Sequence, residues 1–405
     1  MKLLYNFISK VERYIDGKLP SKYLAQYNPN IKKEEVLLTD SINSEFFFGY
    51  HDRSPFQKDG NLILSHRLIK NNLELGYFLI NEGIPSKFNV VSKSNAYSRQ
   101  QGAMLQWDYL KDNKTISFNT IENGIAKNVS IDIASKDLVK EFDFPFYCMS
   151  VDCKFALSCN FFQLARMRPG YGIENIESNQ KIDIKNDGIW IIDREKDSLL
   201  LLASYIELSE VAKKKATQKT YLNHLSFSPN GKKIVWFLIN EEPNSREIIF
   251  QGMDLSNKSK IFNIESQRLT SHFCWIDNDR IFTSNRDQNL NWKYSIYNLE
   301  NGTREDLNLK SKFDGHPMYN SLSNQVIIDT TPDSNGFQHL LSIKMLDLSS
   351  QQLGKWKSPL KFSGPDRCDL HPRWKEDATA VSIDTIHEDK RCQKIIFLDI
   401  NELLA

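Results

Sequence analysis

One short pattern recurs seven times along the 405-residue chain and constrains its fold more than any other feature. The clearest copy is LNHLSFSPNGKKIVWFL, residues 222–238. It joins an apolar stretch ending in an aromatic, a Ser-Pro-Asn-Gly turn, and a strand-like apolar run. The same plan appears where Ser54–Gly60 leads into NLILSHRL, Trp107–Asn113 into KTISFN, and Val151–Cys153 into KFALSCNF. It appears again where Trp275–Asp279 leads into RIFTSNRD, Tyr319–Asn324 into QVIIDTTPD, and Trp374–Ala378 into TAVSIDTIHED. The copies are spaced at roughly 40 to 75 residues, the range of a multistrand structural repeat.

Each copy continues through a polar loop into a third strand, such as GIWIID, YSIYNL or KIIFLDI, and a weaker fourth. Four short antiparallel strands per repeat describe a propeller blade, whose faces are covered only by its neighbours. The expected fold is an all-β, seven-bladed β-propeller over residues 34–405. The last repeat ends too early for a fourth strand of its own. EEVLLT, residues 34–39, is the candidate for that place, since closing the series removes exposed edges. Residues 1–33 read as an N-terminal helix and linker. Leu4, Phe7, Ile8, Val11 and Ile15 fall at helical spacing among Lys2, Lys10, Arg13 and Lys18. Such a helix either docks on protein or makes a peripheral contact with a membrane through residues 1–20.

Charge argues against a nucleic-acid partner. Lys and Arg total 52, Asp and Glu 51, for a net charge of +1. The six cysteines form no CxxC pair and read as buried free thiols. The N-terminus lacks the apolar core and cleavage site of a signal peptide, and no long apolar run spans a membrane. The expected location is cytoplasmic, with the basic helix allowing attachment to the inner membrane.

The position three residues before the end of each first strand, which is aromatic in six repeats and Met149 in the third, is Arg53, Gln106, Phe146, His224, His272, His316 and His371 in turn. Four of the chain's eight histidines occupy this one register in four consecutive repeats. Converging neutral imidazoles suit Zn, Mn, Fe or Ni. Asp369, two residues before His371, adds a carboxylate. Alternatively, one of the histidines is a free general base. Loops joining second to third strands carry Arg166, Arg168, Tyr171, Arg286 and Arg391, and arginine forks suit the carboxylate of an acidic glycan. His51, Arg53, Arg99, Gln101 and Gln106 lie near first strands and could hydrogen-bond a sugar.

HLSFSPNGKKIVW and IFTSNRDQNLNWKYSIYNL resemble the repeats of TolB-type propellers, and all seven units follow that pattern over roughly residues 45–403. Within such propellers the histidine series is similar to that of the oligogalacturonate lyases, cytoplasmic seven-bladed enzymes that cleave pectic oligosaccharides by β-elimination. In that family a histidine acts as base beside an arginine, and three histidines with a glutamine hold a divalent metal, typically Mn. The resemblance implies that His224 is the base, with Arg166 or Arg168 beside it. It implies metal ligands among His272, His316, Asp369 and His371, with Asp369 standing where the family has histidine and Asp366 near the place of the glutamine. It implies an acidic oligosaccharide as partner. Two other readings fit the same residues: a non-catalytic propeller that binds glycan or protein, and an enzyme of polysaccharide biosynthesis at the inner membrane. No GxSxG, P-loop or GxGxxG motif is present.

Overall fold

The computed structural model describes residues 25–27, 34–40, 44–112, 114–174, 181–242, 245–256, 260–309 and 313–399. The expected N-terminal helix lies outside them. The fold is all-β: seven antiparallel sheets in chain order, the arrangement of a seven-bladed β-propeller. In each sheet the first strand of the repeat lies at one edge and the others follow in order. Among the described residues, no helix is long and apolar enough to cross a membrane.

The chain divides into two compact units, one of residues 1–93, 272–274 and 307–405, the other of residues 94–271 and 275–306. The first unit holds the first, sixth and seventh sheets. The expected closing strand is present there: Glu35–Leu38 pairs antiparallel with Lys390–Phe397 and completes the seventh sheet. A second added strand was not anticipated. Ala25–Tyr27 pairs with Ser350–Lys357 and gives the sixth sheet a fifth strand. The second unit holds the second, third and fourth sheets and most of the fifth.

The recurring turn has a local cause. Its Asp or Asn side chain accepts the backbone N–H two residues on, which bends the chain into the next strand. Asp112 Oδ1 does this for Lys114 N at 2.8 Å, Asn230 for Lys232 at 3.0 Å, Asp277 for Asp279 at 2.9 Å and Asp377 for Thr379 at 2.9 Å. The aromatic that ends the first strand serves as a clasp to the preceding blade. Trp374 Nε1 donates to Met318 O at 3.2 Å, and Trp275 Nε1 to Ser226 Oγ at 3.1 Å. In the first unit, Trp356 and Trp374 pack with Ile327, Leu340, Leu353, Leu370 and Val381 into one core cluster.

Two helices interrupt the repeats in the second unit. Phe161–Met167 is capped by Asn160, whose side chain accepts from Gln163 N at 2.8 Å. Tyr205–Val211 begins with a reciprocal box in which Ser204 and Glu207 each satisfy the other's backbone N–H.

A fully buried ion pair ties the first sheet to the seventh. Arg373 bonds both oxygens of Asp384 at 3.1 and 2.9 Å. Arg373 also donates to Tyr50 O at 3.2 Å and to Gly49 O, while Asp384 accepts the N–H groups of Phe48 and Gly49 at 3.1 Å each. The pair thus fixes residues 48–50. Replacing Arg373 with Met leaves a buried carboxylate without its cation. Denaturant unfolding should show a loss of about 3–5 kcal/mol.

His66 lies in the buried strand Leu62–Ile69, stacked on Phe47 with Nδ1 at 3.2 Å from Phe47 O. Burial lowers its pKa from 6.5 to about 3. The unfolded chain takes a proton at this residue below about pH 6.5 and the folded chain refuses it until about pH 3, so stability is lost as pH falls through that window. His66→Gln should give a shallower acid limb in a plot of melting temperature against pH.

Candidate metal centre

Four imidazoles and a carboxylate come together in the first unit. Asp329, at the end of strand Gln325–Asp329, organises two of the histidines. It accepts the N–H of His316 at 2.7 Å, the His316 Nδ1 at 2.9 Å, and the N–H of His371 at 3.0 Å. A carboxylate acceptor places the proton of neutral His316 on Nδ1 and leaves the lone pair on Nε2. His272 is held in the same way, with Nδ1 at 3.1 Å from Asp314 Oδ1.

His316, Asp369 and His371 each offer a ligand atom, and these atoms all lie within 4.8 Å of one another. His316 Nε2 and His371 Nε2 are buried and, among the described residues, have no hydrogen-bond partner. Ring centroids are 3.9 Å apart for His272 and His316, and 4.3 Å for His316 and His371. Asp369 is oriented by Arg367 Nε at 2.6 Å and by Gln338 Nε2 at 3.4 Å. Two orphaned imidazole nitrogens beside an oriented carboxylate are what a divalent transition ion requires, so the residues present fit such a group.

The electrostatics agree for His272 and His371 but not for His316. Burial, then the neighbouring His316, lowers the pKa of His272 and of His371, so both rings favour the neutral, ligating form. Burial also opposes charge on His316, but the charge and hydrogen bond of Asp329 outweigh it and shift that ring upward. Asp369 is held below the ordinary carboxylate range despite its burial, chiefly by Arg367 and His316.

Asp369 and His371 share a side, though not through strand alternation. The strand here is only Arg373–Trp374, and His371 adopts a left-handed backbone with φ 43°. Its N–H bond to Asp329 holds that strained conformation. Asp366 is exposed on the turn Gly364–Asp366 and is not part of the clustered ligand set. Gln338 was not singled out from the sequence. It comes from the third strand of the sixth sheet, Phe337–Lys344, and only tertiary packing brings it to Asp369.

His224 belongs to the second unit, where Gln101, Arg168 and Tyr171 join it. Tyr147 Oη accepts from His224 N at 2.9 Å and from Gln101 Nε2 at 2.8 Å, and donates to Asn223 Oδ1 at 2.8 Å. The amide NH2 of Asn223 therefore faces His224 Nε2, at 3.1 Å, and marks that nitrogen as the lone-pair side. Gln101 Oε1 accepts from Gly172 N at 3.0 Å, linking this network to the loop of Tyr171. Tyr171 stands edge-on to His224 with centroids 6.3 Å apart, and the Arg168 guanidinium lies over the Tyr171 ring at 5.5 Å. Arg166, in the last turn of helix Phe161–Met167, is exposed and bonds Gln163.

The other candidates are engaged by the chain itself. Arg53 makes a two-pronged pair with Asp52 at 2.9 and 2.8 Å. Arg391 lies in strand Lys390–Phe397 rather than a loop, buried, donating to the carbonyls of Asp366 and Arg367. Arg286 ends strand Arg280–Arg286 over Trp292. Gln106 is buried and donates to Met104 O. Arg99 is half-buried on the turn before Gln101. His51 stands with the imidazoles of the first unit, its Nδ1 at 2.8 Å from Pro317 O.

No protein-family model matches the chain, and no curated protein matches it in sequence. Among solved structures it is similar to an oligogalacturonate lyase in complex with manganese, with TM-score 0.67 and 10% identity over 94% of this chain and 97% of that one. It is also similar to an oligogalacturonate lyase from Vibrio parahaemolyticus, with TM-score 0.62 and 13% identity over 92% and 97%. The β-propeller domain of Cps50 (Swd1) from Myceliophteria thermophila follows at TM-score 0.51 and 10% identity over 91% and 100%. These likenesses agree on a β-propeller whose architecture resembles that of oligogalacturonate lyases. Identities this low bear on the fold alone.

Asp329 gives the local test. Asp329→Asn retains one acceptor oxygen for three donors and removes the charge that orients His316. Mn(II) affinity measured by calorimetry should fall about 10–100-fold, the usual effect of losing such a partner.

Proposed function

We propose that the protein is a divalent-metal-dependent lyase that cleaves uronic-acid-containing oligosaccharides by β-elimination. The observation that carries this reading is the pair of buried, unpartnered Nε2 atoms of His316 and His371 beside the Asp369 carboxylate. Imidazole and carboxylate donors together suit Mn or a similar ion. The likeness to a lyase described in complex with manganese supports the choice.

His316, Asp369 and His371, with His272 beside them, would hold the cation. A cation in such a site supplies positive charge that polarises a uronate carboxylate and raises the acidity of the adjacent C5–H bond. His224 is the proposed base. It removes the C5 proton, the C–H electron pair becomes the C4–C5 double bond, and the C4–O bond breaks. The departing glycosidic oxygen keeps the bonding pair and takes a proton. Arg166 and Arg168 are the proposed cations for the substrate's carboxylate. The Asn223 amide keeps His224 in one tautomer with Nε2 as the proton-accepting atom, and it must release that atom when the proton arrives.

The same cation site without turnover describes a glycan-binding propeller. What favours that second reading is the commitment of Arg53 and Arg391 to groups of the chain itself. Metal analysis and an absorbance assay for unsaturated uronate product on acidic oligosaccharides separate the two. The lyase reading expects stoichiometric metal and product. His224→Ala should lower kcat by at least about 100-fold with metal retained, and His316→Ala and His371→Ala should lose the metal. Bound metal and bound glycan with no product support the scaffold. A protein that takes up no transition metal overturns both.

A further inference from the structure

The closing strand Glu35–Leu38 pairs with Lys390–Phe397 only as far as Leu38, opposite Gln393. Beyond that point the hairpin of Ala380–His387 and Lys390–Phe397 continues to its tip at Glu388 and Asp389, both in left-handed backbone with φ 47° and 65°. Where the strands part, a cavity of about 310 Å3 opens within the first unit. Leu37 and Phe46 give it apolar wall, and charged and polar side chains line the rest.

Some of those side chains are spent on the chain itself. Asp40 accepts from Arg67 at 2.7 Å and from Ser44 at 2.8 Å. Arg391 donates to the carbonyls of Asp366 and Arg367 at 3.1 and 2.8 Å. Three others are not spent. Lys390 and Glu388 form no ion pair among the described residues, although neighbouring charges do: Asp389 with Lys361 at 3.0 Å, and Lys394 with Glu35. The ring of His387 makes no hydrogen bond among the described residues. His387 and Lys390 are directly opposed across the hairpin, so their side chains leave it on the same side. Burial, then the charge of Lys394, lowers the pKa of His387, which favours a neutral ring with one donor and one acceptor nitrogen.

These groups define a ligand. One unpaired cation answers one anionic group. The unpaired carboxylate beside it repels a dianion such as phosphate but accepts protons from hydroxyls. The imidazole serves a further hydroxyl. The volume lies near the lower end of small-molecule sites, roughly 300 Å3, which suits one sugar ring.

We propose that this cavity binds a single uronic-acid unit, its carboxylate on Lys390 and its hydroxyls on Glu388 and His387. The choice of a sugar acid rests on the lyase reading above, and the site is separate from the cation centre. One residue links the two. Arg391, next to Lys390 in the cavity wall, holds the carbonyl of Arg367, whose Nε bonds Asp369 at 2.6 Å. A second uronate subsite thus adjoins the support of the cation centre, where a substrate longer than one sugar would use it.

The experiment titrates the full, metal-stripped chain with D-galacturonate, D-galactose and inorganic phosphate. It follows the His387 ring resonance by NMR, assigned by its loss in His387→Gln. Galacturonate should shift that resonance saturably, and galactose and phosphate should bind at least about tenfold more weakly. Lys390→Ala should weaken galacturonate at least about tenfold, the effect of losing a charged hydrogen-bond partner. His316→Ala should leave this binding unchanged. The proposal is overturned if galacturonate does not move the His387 resonance, if galactose or phosphate binds as tightly, or if His316→Ala abolishes binding while Lys390→Ala does not. The ligand series on the unsubstituted chain decides the matter if a variant does not fold. Failure of the lyase reading has a different signature: the metal-loaded chain releases no unsaturated uronate product while galacturonate still shifts His387.

Discussion

The first unit is organised around the carboxylate of Asp329. Nearly inaccessible to solvent, it receives the N–H and the Nδ1 of His316 and the N–H of His371. Those bonds offset the desolvation of its charge, which otherwise would be costly. They also decide the chemistry. One oxygen pair selects the tautomer of His316 and holds the left-handed backbone of His371, so both Nε2 atoms are presented without hydrogen-bond partners. Gly315 belongs to the same arrangement: a Cβ there would lie 1.9 Å from the Asp329 carbonyl oxygen, so only glycine lets the two segments meet.

The second unit solves a related problem with neutral groups. Tyr147 is the hub: its hydroxyl accepts from a backbone N–H and an amide and donates to Asn223, which sets the direction of the Asn223–His224 bond. The strand Thr220–Phe227 departs from regular pairing between Asn223 and Ser226, and His224 takes φ 55° within that irregularity. A bulge of this kind re-aims a side chain that regular alternation would place elsewhere. Both His224 and His371 are therefore held in strained backbone by an N–H bond to a buried side chain, a cost borne where function is proposed.

The architecture was legible because it is repeated and local. Turn carboxylates and amides such as Asp112, Asn230 and Asp377 act within their own few residues, and their strands follow by alternation. The closing strand could be read from a missing fourth strand at the other end of the chain. The capping box at Ser204 and Glu207 was equally readable as Ser-x-x-Glu, yet it was hidden by the β-periodicity around it. The histidine register was also legible at His272, His316 and His371. It failed at the first blade, where counting back from Phe56 gives Arg53, while the ring that joins the others is His51. The arginines were the least legible. Arg53 and Arg391 carry the same charge in the sequence as any binding residue, and only their partners Asp52, Asp366 and Arg367 reveal that they are engaged.

Sequence alone determined the seven repeats, their strands and turns, and the histidines that recur in one register, because these depend on contacts a few residues apart. Tertiary structure decided which lone pairs are available. Asp329 meets His371 across 42 positions and Arg373 meets Tyr50 across 323. No spacing rule reaches that far. Whether a histidine is a ligand, a base or a packed ring depends on which of its two nitrogens is already committed, and that is settled only when distant strands are brought together.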